Sequence, residues 1–170
     1  MLRVGIGYDV HQLVSHRRLV LGGVEFPSEL GLLGHSDADV VLHAICDAIL
    51  GAAALGDLGQ HFPPDDERFR DADSVALLRE VNRLVSIDGW TVGNVDVTIV
   101  AESPRIGPRV AEMRSIIADA SGVPVAAVSV KATTNEGLGF LGRREGIAAM
   151  AVATIVSGRS RVTDAGGTGE

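Results

Sequence analysis

The sequence predicts an α+β fold in which helices cover one face of a β-sheet. β-Branched segments with period-two alternation indicate several strands, and segments with an apolar repeat of about 3.6 residues indicate helices. The length of 170 residues favours one domain. The order of these elements along the chain is compatible with an α+β or βαβ-type sandwich.

The N-terminal part of the chain contains two predicted strands and one long helix. The first strand covers residues 3–11, and the second covers residues 19–26 with an interruption at two glycines. Residues 31–38 are predicted as a loop, and Ser36 within it is predicted as the N-cap of the following helix. That helix covers residues 39–54. A metal ligand on it would therefore be held rigidly.

The rest of the chain alternates helices, strands and loops. Residues 57–71 are rich in proline and charge and are predicted as a loop, whereas residues 74–87 have the spacing of an amphipathic helix. A tail over residues 158–170 is polar, rich in glycine and expected to be disordered, so residues 1–157 form the predicted domain. The remaining elements are strands over 94–101, 126–131 and 146–156, and a helix from Pro104 to about Ser121.

Composition and charge exclude several functional classes. The net charge of −7 argues against a nucleic-acid partner, because such proteins need clustered cations. The apolar run over residues 40–55 is interrupted by His43 and Asp47 and is too short for a membrane span. The single Cys46 and an N-terminus that lacks the pattern of a signal peptide indicate a cytoplasmic protein.

A candidate metal site combines three side chains from two elements. Asp9 and His11 lie two residues apart on a strand, so both point to one face. His43 on the following helix would complete a three-ligand set that leaves a position open, as catalytic zinc sites do, with manganese or cobalt as alternatives. Asp39 or Asp47 could bind the second ring nitrogen of His43. The same pattern also fits an ordinary strand and a packed helical histidine.

Two polar clusters could bind phosphate or a second metal ion. Residues 131–136 (KATTNE) carry a cation, hydroxyl groups and a carboxylate at a strand end. His35 and Ser36 precede a helix, where anions bind favourably. Each cluster has an ordinary alternative as a polar turn or a helix cap, and residues 57–59 could be a plain turn.

Four stretches taken together resemble one enzyme family. They are GYDVHQL at 7–13, the segment from GLLGHSDADVVLH to GQHFP at 31–63, GNVDVTIVAESPRIGP at 93–108, and VKATTNEGLGFLGRREGIAAMAV at 130–152. Their order and spacing resemble the 2-C-methyl-D-erythritol 2,4-cyclodiphosphate synthases over nearly the whole chain. No single stretch is specific, but the combination of D-V-H, H-S-D-x-D-x-x-x-H-A and K-A-T-T is.

The resemblance implies a fold, an assembly and a reaction. The fold is ferredoxin-like, with helices on one face of a mixed sheet, and the assembly is a homotrimer with active sites between neighbouring subunits. The substrate is 4-diphosphocytidyl-2-C-methyl-D-erythritol 2-phosphate, an intermediate of the non-mevalonate isoprenoid pathway. The products are CMP and the cyclic diphosphate.

The resemblance also assigns site residues. Asp9, His11 and His43 correspond to zinc ligands, and Glu136 corresponds to the residue that holds magnesium or manganese with the substrate diphosphate. His35 and Thr134 correspond to the catalytic residues. Substrate-binding positions are Asp9, His11, His35, Ser36, Asp57, Leu58, Gly59, Phe62, Asp66, Ala101, Glu102, Ser103, Pro104, Arg105, Ile106, Gly107, Ala132, Thr133, Thr134, Asn135, Glu136, Phe140 and Arg143.

The sequence departs from the family pattern at a few positions, and two other functions fit the same residues. Pro64 stands where aspartate is usual, Arg105 replaces lysine, Gly107 replaces a larger apolar residue, and Asn135 replaces threonine or serine. The alternatives are a metal-dependent phosphoesterase, with water as the nucleophile, and a non-catalytic trimeric module that binds nucleotides or prenyl diphosphates. Product analysis distinguishes the three.

Overall fold

A computed structural model describes residues 1–157 as strands of one main sheet, a separate hairpin and several helices. The tail predicted over residues 158–170 lies outside the described residues. The strands are β1 (Leu2–Ser15), β2 (Leu19–Leu21), β3 (Val24–Phe26), β4 (Leu30–Leu32), β5 (Trp90–Val100), β6 (Val128–Thr133) and β7 (Gly146–Ser157). The helices are α1 (Val40–Ala53), α2 (Leu58–His61), α3 (Ser74–Ile87), α4 (Val110–Ser121) and α5 (Gly139–Gly142).

The main sheet has five strands in the order β4-β1-β7-β5-β6. Strands β5 and β6 are parallel, and the other neighbours are antiparallel. Strands β2 and β3 form the hairpin, which explains the two glycines in the predicted second strand. The mixed sheet confirms the predicted α+β class, and β7 confirms the strand predicted over residues 146–156.

Helices pack on one face of the main sheet. Odd-numbered side chains of the central strands point to that face, and Val97, Ile99, Ala151 and Ala153 are fully buried there. Even-numbered side chains of β1 from Leu2 to Gln12 point to the opposite face and are exposed. Among the helices of residues 1–157, none combines the length and apolar character needed to cross a membrane.

Helix α1 lies unusually close to β1 because two glycines face it. A Cβ atom on Gly5 would lie 2.0 Å from the carbonyl oxygen of Ala48, and one on Gly7 would lie 2.0 Å from that of Ala44. Real Cβ atoms essentially never approach another atom so closely. The absence of side chains at these positions therefore allows direct contact between the helix backbone and the strand.

The prediction that Ser36 caps the long helix is wrong. The helix begins at Val40, and its N-cap is Asp39, whose carboxylate accepts hydrogen bonds from two N–H groups of the first turn. The same carboxylate accepts from Gly22 and Gly23 at 2.8 and 2.6 Å. A carboxylate has enough acceptor positions to bind both the helix start and the β2–β3 turn, which a serine hydroxyl lacks.

Other predicted boundaries hold or shift for identifiable reasons. Helix α3 coincides with the prediction, and Asp73 caps it. The helix predicted from Pro104 begins six residues later, at Val110, because Pro108 has no N–H to donate to the carbonyl of residue 104. Part of each predicted loop is regular: β4 overlaps residues 31–38, and α2 with a 3₁₀ turn at Glu67–Phe69 lies within residues 57–71.

Candidate active site and metal centre

The candidate metal ligands meet where α1 crosses β1. Asp9 and His11 follow Gly5 and Gly7 on the helix-facing side of β1, as the period-two pattern predicts. The close approach at the two glycines brings the first turns of α1, and with them His43, over this end of the strand. The metal site thus depends on the contact between a helix and a strand.

The three side chains present one ligand atom each to a common point. Asp9 Oδ2 lies 2.9 Å from His11 Nε2 and 3.0 Å from His43 Nδ1, and the two ring nitrogens lie 3.2 Å apart. Ligands about 2.0–2.1 Å from a tetrahedral ion are about 3.3–3.4 Å from one another. The observed spacing therefore fits a small divalent ion, as the sequence predicted for this group.

The outer nitrogens of both histidines have partners that leave the inner nitrogens free to bind a metal. His11 Nδ1 donates to the carbonyl of Leu33 at 2.7 Å, so its Nε2 keeps a lone pair. His43 Nε2 lies 3.0 Å from Ser74 Oγ and 3.2 Å from Ser36 Oγ, so its Nδ1 is the inner nitrogen. The donor set, its spacing and these tautomers fit a divalent metal ion.

Asp39 and Asp47 were predicted to bind the outer ring nitrogen of His43, but both bind other groups. Asp39 caps the helix, and Asp47 Oδ1 accepts from the backbone N–H of Leu58 at 2.7 Å. Both lie four residues from His43, but the helix start and the α1–α2 connection contain unpaired N–H groups that bind these carboxylates. Spacing on one helix could not show which groups approach from other elements.

The electrostatics of the triad favour a cation. Burial raises the pKa of the Asp9 carboxyl, but hydrogen bonds and charge from His11 and His43 outweigh this effect and lower the pKa. For His11, burial lowers the pKa, while the hydrogen bond and charge of Asp9 raise it above the ordinary value. Asp9 is therefore a carboxylate at neutral pH and a suitable anionic ligand.

A cleft of about 380 Å³ opens beside the triad. Predicted substrate residues from two further segments line it: His35 and Ser36 before α1, and Leu58, Gly59 and Phe62 around α2. Asp57 is the N-cap of α2, and the carbonyl of Asp66 lies 3.3 Å from His35 Nε2. The structure thus brings together one part of the predicted substrate site.

A second part of the predicted site lies at the ends of β5 and β6. Glu102 connects the segment after β5 to the segment after β6, because Glu102 Oε1 accepts hydrogen bonds from the N–H groups of Asn135 and Gly137. Glu136 accepts a hydrogen bond from Thr134 Oγ1 at 3.0 Å. Within residues 1–157, this part contributes nothing to the lining of the triad cleft. It contains Ala101, Glu102, Ser103, Pro104, Arg105, Ile106, Gly107, Ala132, Thr133, Thr134, Asn135 and Glu136.

Phe140 and Arg143 belong to neither of these two parts of the predicted substrate site. Phe140 lines a cavity of about 550 Å³ that also borders His11. The Arg143 guanidinium binds Glu145 at 2.7 Å. Lys131, the only lysine, pairs with Asp96 of the neighbouring strand, so its charge is already partly neutralised. The predicted phosphate-binding role of the 131–136 segment therefore depends on its other groups.

Some residues at or near the cleft were not predicted from the sequence. Phe69 and Leu77 line the cleft, and Ser74 contacts the ring of His43. Asp47, which the sequence suggested only as a partner of His43, and Pro64 also line the cleft. Ser74 carries a partial signal, since it starts a predicted helix, but nothing in its local pattern relates it to a histidine 31 residues earlier. Pro64 stands where the family pattern has aspartate, and its position in the cleft makes this departure relevant to ligand binding.

Comparisons with known proteins show which family and which solved structures this chain resembles. The YgbB family model matches residues 2–156. The 2-C-methyl-D-erythritol 2,4-cyclodiphosphate synthase of Alkaliphilus oremlandii is 58% identical over 155 residues, which cover 91% of this chain and 99% of that protein. The CDP complex of IspF from Plasmodium falciparum has a TM-score of 0.81 at 31% identity and covers 92% of this chain and 97% of that one.

A longer relative contains the same fold as one part. The bifunctional IspDF of Campylobacter jejuni has a TM-score of 0.89 at 39% identity, covering 92% of this chain but 42% of that protein. The chain thus spans less than half of the bifunctional protein but nearly all of the Alkaliphilus enzyme. With a family match over residues 2–156 and relatives of this similarity and coverage, the chain belongs to the YgbB family of 2-C-methyl-D-erythritol 2,4-cyclodiphosphate synthases.

Proposed function

We propose that the chain converts 4-diphosphocytidyl-2-C-methyl-D-erythritol 2-phosphate to 2-C-methyl-D-erythritol 2,4-cyclodiphosphate and CMP. The observation that carries this proposal is the Asp9–His11–His43 triad beside a cleft, in a chain 58% identical to a synthase of that name. The reaction belongs to isoprenoid precursor synthesis. A cytoplasmic location remains a prediction from the sequence.

The reaction needs positioning and charge more than a strong base. An oxygen of the 2-phosphate, already anionic, attacks the β-phosphorus, and the bond from that phosphorus to the oxygen of the CMP phosphate breaks. Asp9, His11 and His43 would hold zinc, which when bound would supply positive charge to the phosphate groups, and Glu136 would hold magnesium or manganese, which would supply charge near the leaving group. His35 and Thr134 hold the phosphates in line for displacement.

We assign the substrate to two subunits. The cleft residues His35, Ser36 and those around α2 bind the methylerythritol phosphate. The second group, at the ends of β5 and β6, lies outside this cleft and binds the cytidine and diphosphate in the neighbouring protomer. The CDP complex of the Plasmodium falciparum relative supports a cytidine nucleotide as the ligand class.

Phosphorus NMR with H₂¹⁸O tests the reaction. We expect the purified protein, with zinc and magnesium, to convert the substrate to CMP and a cyclic diphosphate with no ¹⁸O in either product. A metal-dependent phosphoesterase would incorporate ¹⁸O because water would be its nucleophile. Binding of CDP without any turnover would instead identify a non-catalytic module. Either of these results would overturn the proposed function.

The exposed sheet face supports a homotrimer. Leu2, Val4 and Ile6 of β1 are 62%, 61% and 66% exposed. On the neighbouring strand β7, Val156 pairs with Leu2 and Val152 pairs with Ile6. Tyr8 and Met150 continue the same apolar face. Contiguous apolar surface of this kind indicates a protein interface. A second and third copy of the chain would cover it and complete the proposed site.

Charge on this face should break the assembly. We expect light scattering to give the mass of a trimer for the unmodified protein and a smaller mass for Ile6→Glu, because a carboxylate would be buried in an apolar interface. Ile87→Glu is the matched control, since Ile87 is 71% exposed at the end of α3. A monomeric unmodified protein at micromolar concentration would contradict the proposed assembly.

A further inference from the structure

Ser74 connects the proposed metal ligand His43 to the carboxylate of Asp37. Its side chain is fully buried at the first position of α3. Ser74 Oγ lies 3.0 Å from His43 Nε2 and also forms a short hydrogen bond to Asp37 Oδ1. Asp37 Oδ2 accepts from the backbone N–H of the same serine at 3.0 Å. Asp37 thus holds both the hydroxyl and the backbone of Ser74.

The carboxylate of Asp37 determines the direction of these hydrogen bonds. A carboxylate only accepts, so Ser74 Oγ–H donates to Asp37. The hydroxyl oxygen then has lone pairs directed elsewhere and accepts from His43 Nε2–H. With the proton on Nε2, His43 Nδ1 presents its lone pair to Asp9 and His11. The chain of contacts therefore selects the one neutral tautomer of His43 that can bind metal at the triad.

Ser36 is the less suitable partner for the same proton. Its hydroxyl lies 3.2 Å from His43 Nε2, and its oxygen also accepts from the N–H of Ala38 at 3.1 Å. Ser36 further lines the cleft, where it is available to substrate. Ser74 is closer, is fully buried and is fixed by a carboxylate at two atoms.

We propose that Ser74 and Asp37 are positioning residues that orient His43 and fix its tautomer for metal binding. This inference depends on the proposed function only in requiring that the triad binds a divalent ion. Neither residue touches the ligand atoms or the substrate cleft. Their effect passes through the His43 ring, so it should appear in metal affinity and metal geometry before it appears in stability.

Metal affinity of Ser74→Ala tests the proposal directly. We expect its zinc affinity, measured by competition with a chromophoric chelator, to fall roughly 10–100-fold, as is typical for partners of metal-bound histidines. The visible spectrum of the cobalt-loaded protein should change in the same variant. The matched control is Ser121→Ala, because Ser121 is also buried and its Oγ has no hydrogen-bond partner among residues 1–157. It should retain normal zinc affinity.

A double-mutant cycle separates positioning from a merely structural role. Asp37→Asn should also weaken zinc binding, and the Ser74→Ala/Asp37→Asn double variant should lose little more than the weaker-binding single variant, because both act through one contact. Thermal unfolding of the metal-free proteins measures any structural loss separately. Normal zinc affinity and a normal cobalt spectrum in Ser74→Ala would overturn this inference alone. Absence of zinc binding in the unmodified protein would overturn the proposed metal site as well.

Discussion

The His43→Ala variant should lose tight zinc binding and cyclisation while keeping its fold. His43 supplies one of three ligand atoms, and its loss leaves only the neighbouring Asp9 and His11 of β1. We expect a loss of turnover well beyond the roughly 100-fold typical for residues that act behind a metal ligand. The helix should persist, because its core contacts come from the apolar residues on either side of His43.

Glu136→Gln should give a different result. Glu136 is exposed at the end of β6, contacts Thr134 and does not line the triad cleft. We therefore expect zinc to remain bound while turnover falls at every practical magnesium concentration, because a neutral amide is a weaker ligand for magnesium than a carboxylate. The contrast separates the two proposed metal roles.

Metal analysis of the purified variants beside CMP release checks both expectations. Asp9→Ala serves as a second triad variant and should behave like His43→Ala. Circular dichroism and thermal unfolding establish that each variant is folded. A full complement of zinc and normal turnover in His43→Ala would show that the triad is wrong. Loss of zinc from Glu136→Gln would show that the two sites are not independent.

Sequence patterns predicted the elements whose structure depends on residues close together in the sequence. Helix α3 could be predicted because its apolar spacing is regular, and β7 because its β-branched residues favour a strand. Asp9 and His11 point to the same face because side chains two residues apart on a strand do so. In contrast, Asp39 caps α1 partly because Gly22 and Gly23 approach it from another element, and no pattern within residues 36–43 contains that information.

The part of the site that could not be predicted depends on contacts between distant elements. The metal ligands themselves could be proposed from residue type, spacing and family likeness. The contact of His43 with Ser74, and of Ser74 with Asp37, could not, since Ser74 belongs to a different helix and Asp37 to the loop before α1. In the sequence, Gly5 and Gly7 appear only as part of a predicted strand. In the structure, their lack of side chains allows α1 to pack directly against β1.

The close contact at Gly7 leads to the second large expected effect. A Cβ atom at this position would lie 2.0 Å from the carbonyl oxygen of Ala44 and 2.8 Å from the amide nitrogen of Ala48. Both atoms belong to the backbone of α1, so no side-chain rotation can relieve the clash. The helix would have to move by about 1.4 Å or more to bring this oxygen to an ordinary contact distance.

Such a movement would disturb the metal site because Ala44 directly follows His43. The His43 ring would shift relative to Asp9, which lies two residues beyond Gly7 on the same face of β1. We expect Gly7→Ala to lose zinc affinity and about 100-fold in turnover, as a 1 Å displacement of an active-site group can cause. The free energy of unfolding should also fall by about 1–3 kcal/mol from overpacking.

Gly51→Ala is the matched control on the same helix. Its Cβ would lie 4.0 Å from the carbonyl oxygen of Ile6, an ordinary contact, so no movement of α1 is required. Alanine at a helix interior should instead stabilise the protein by about 0.5–1 kcal/mol. Denaturant unfolding and zinc competition on both variants measure the two effects. If Gly7→Ala bound zinc as tightly as Gly51→Ala, the geometry of the triad would not depend on the contact between α1 and β1.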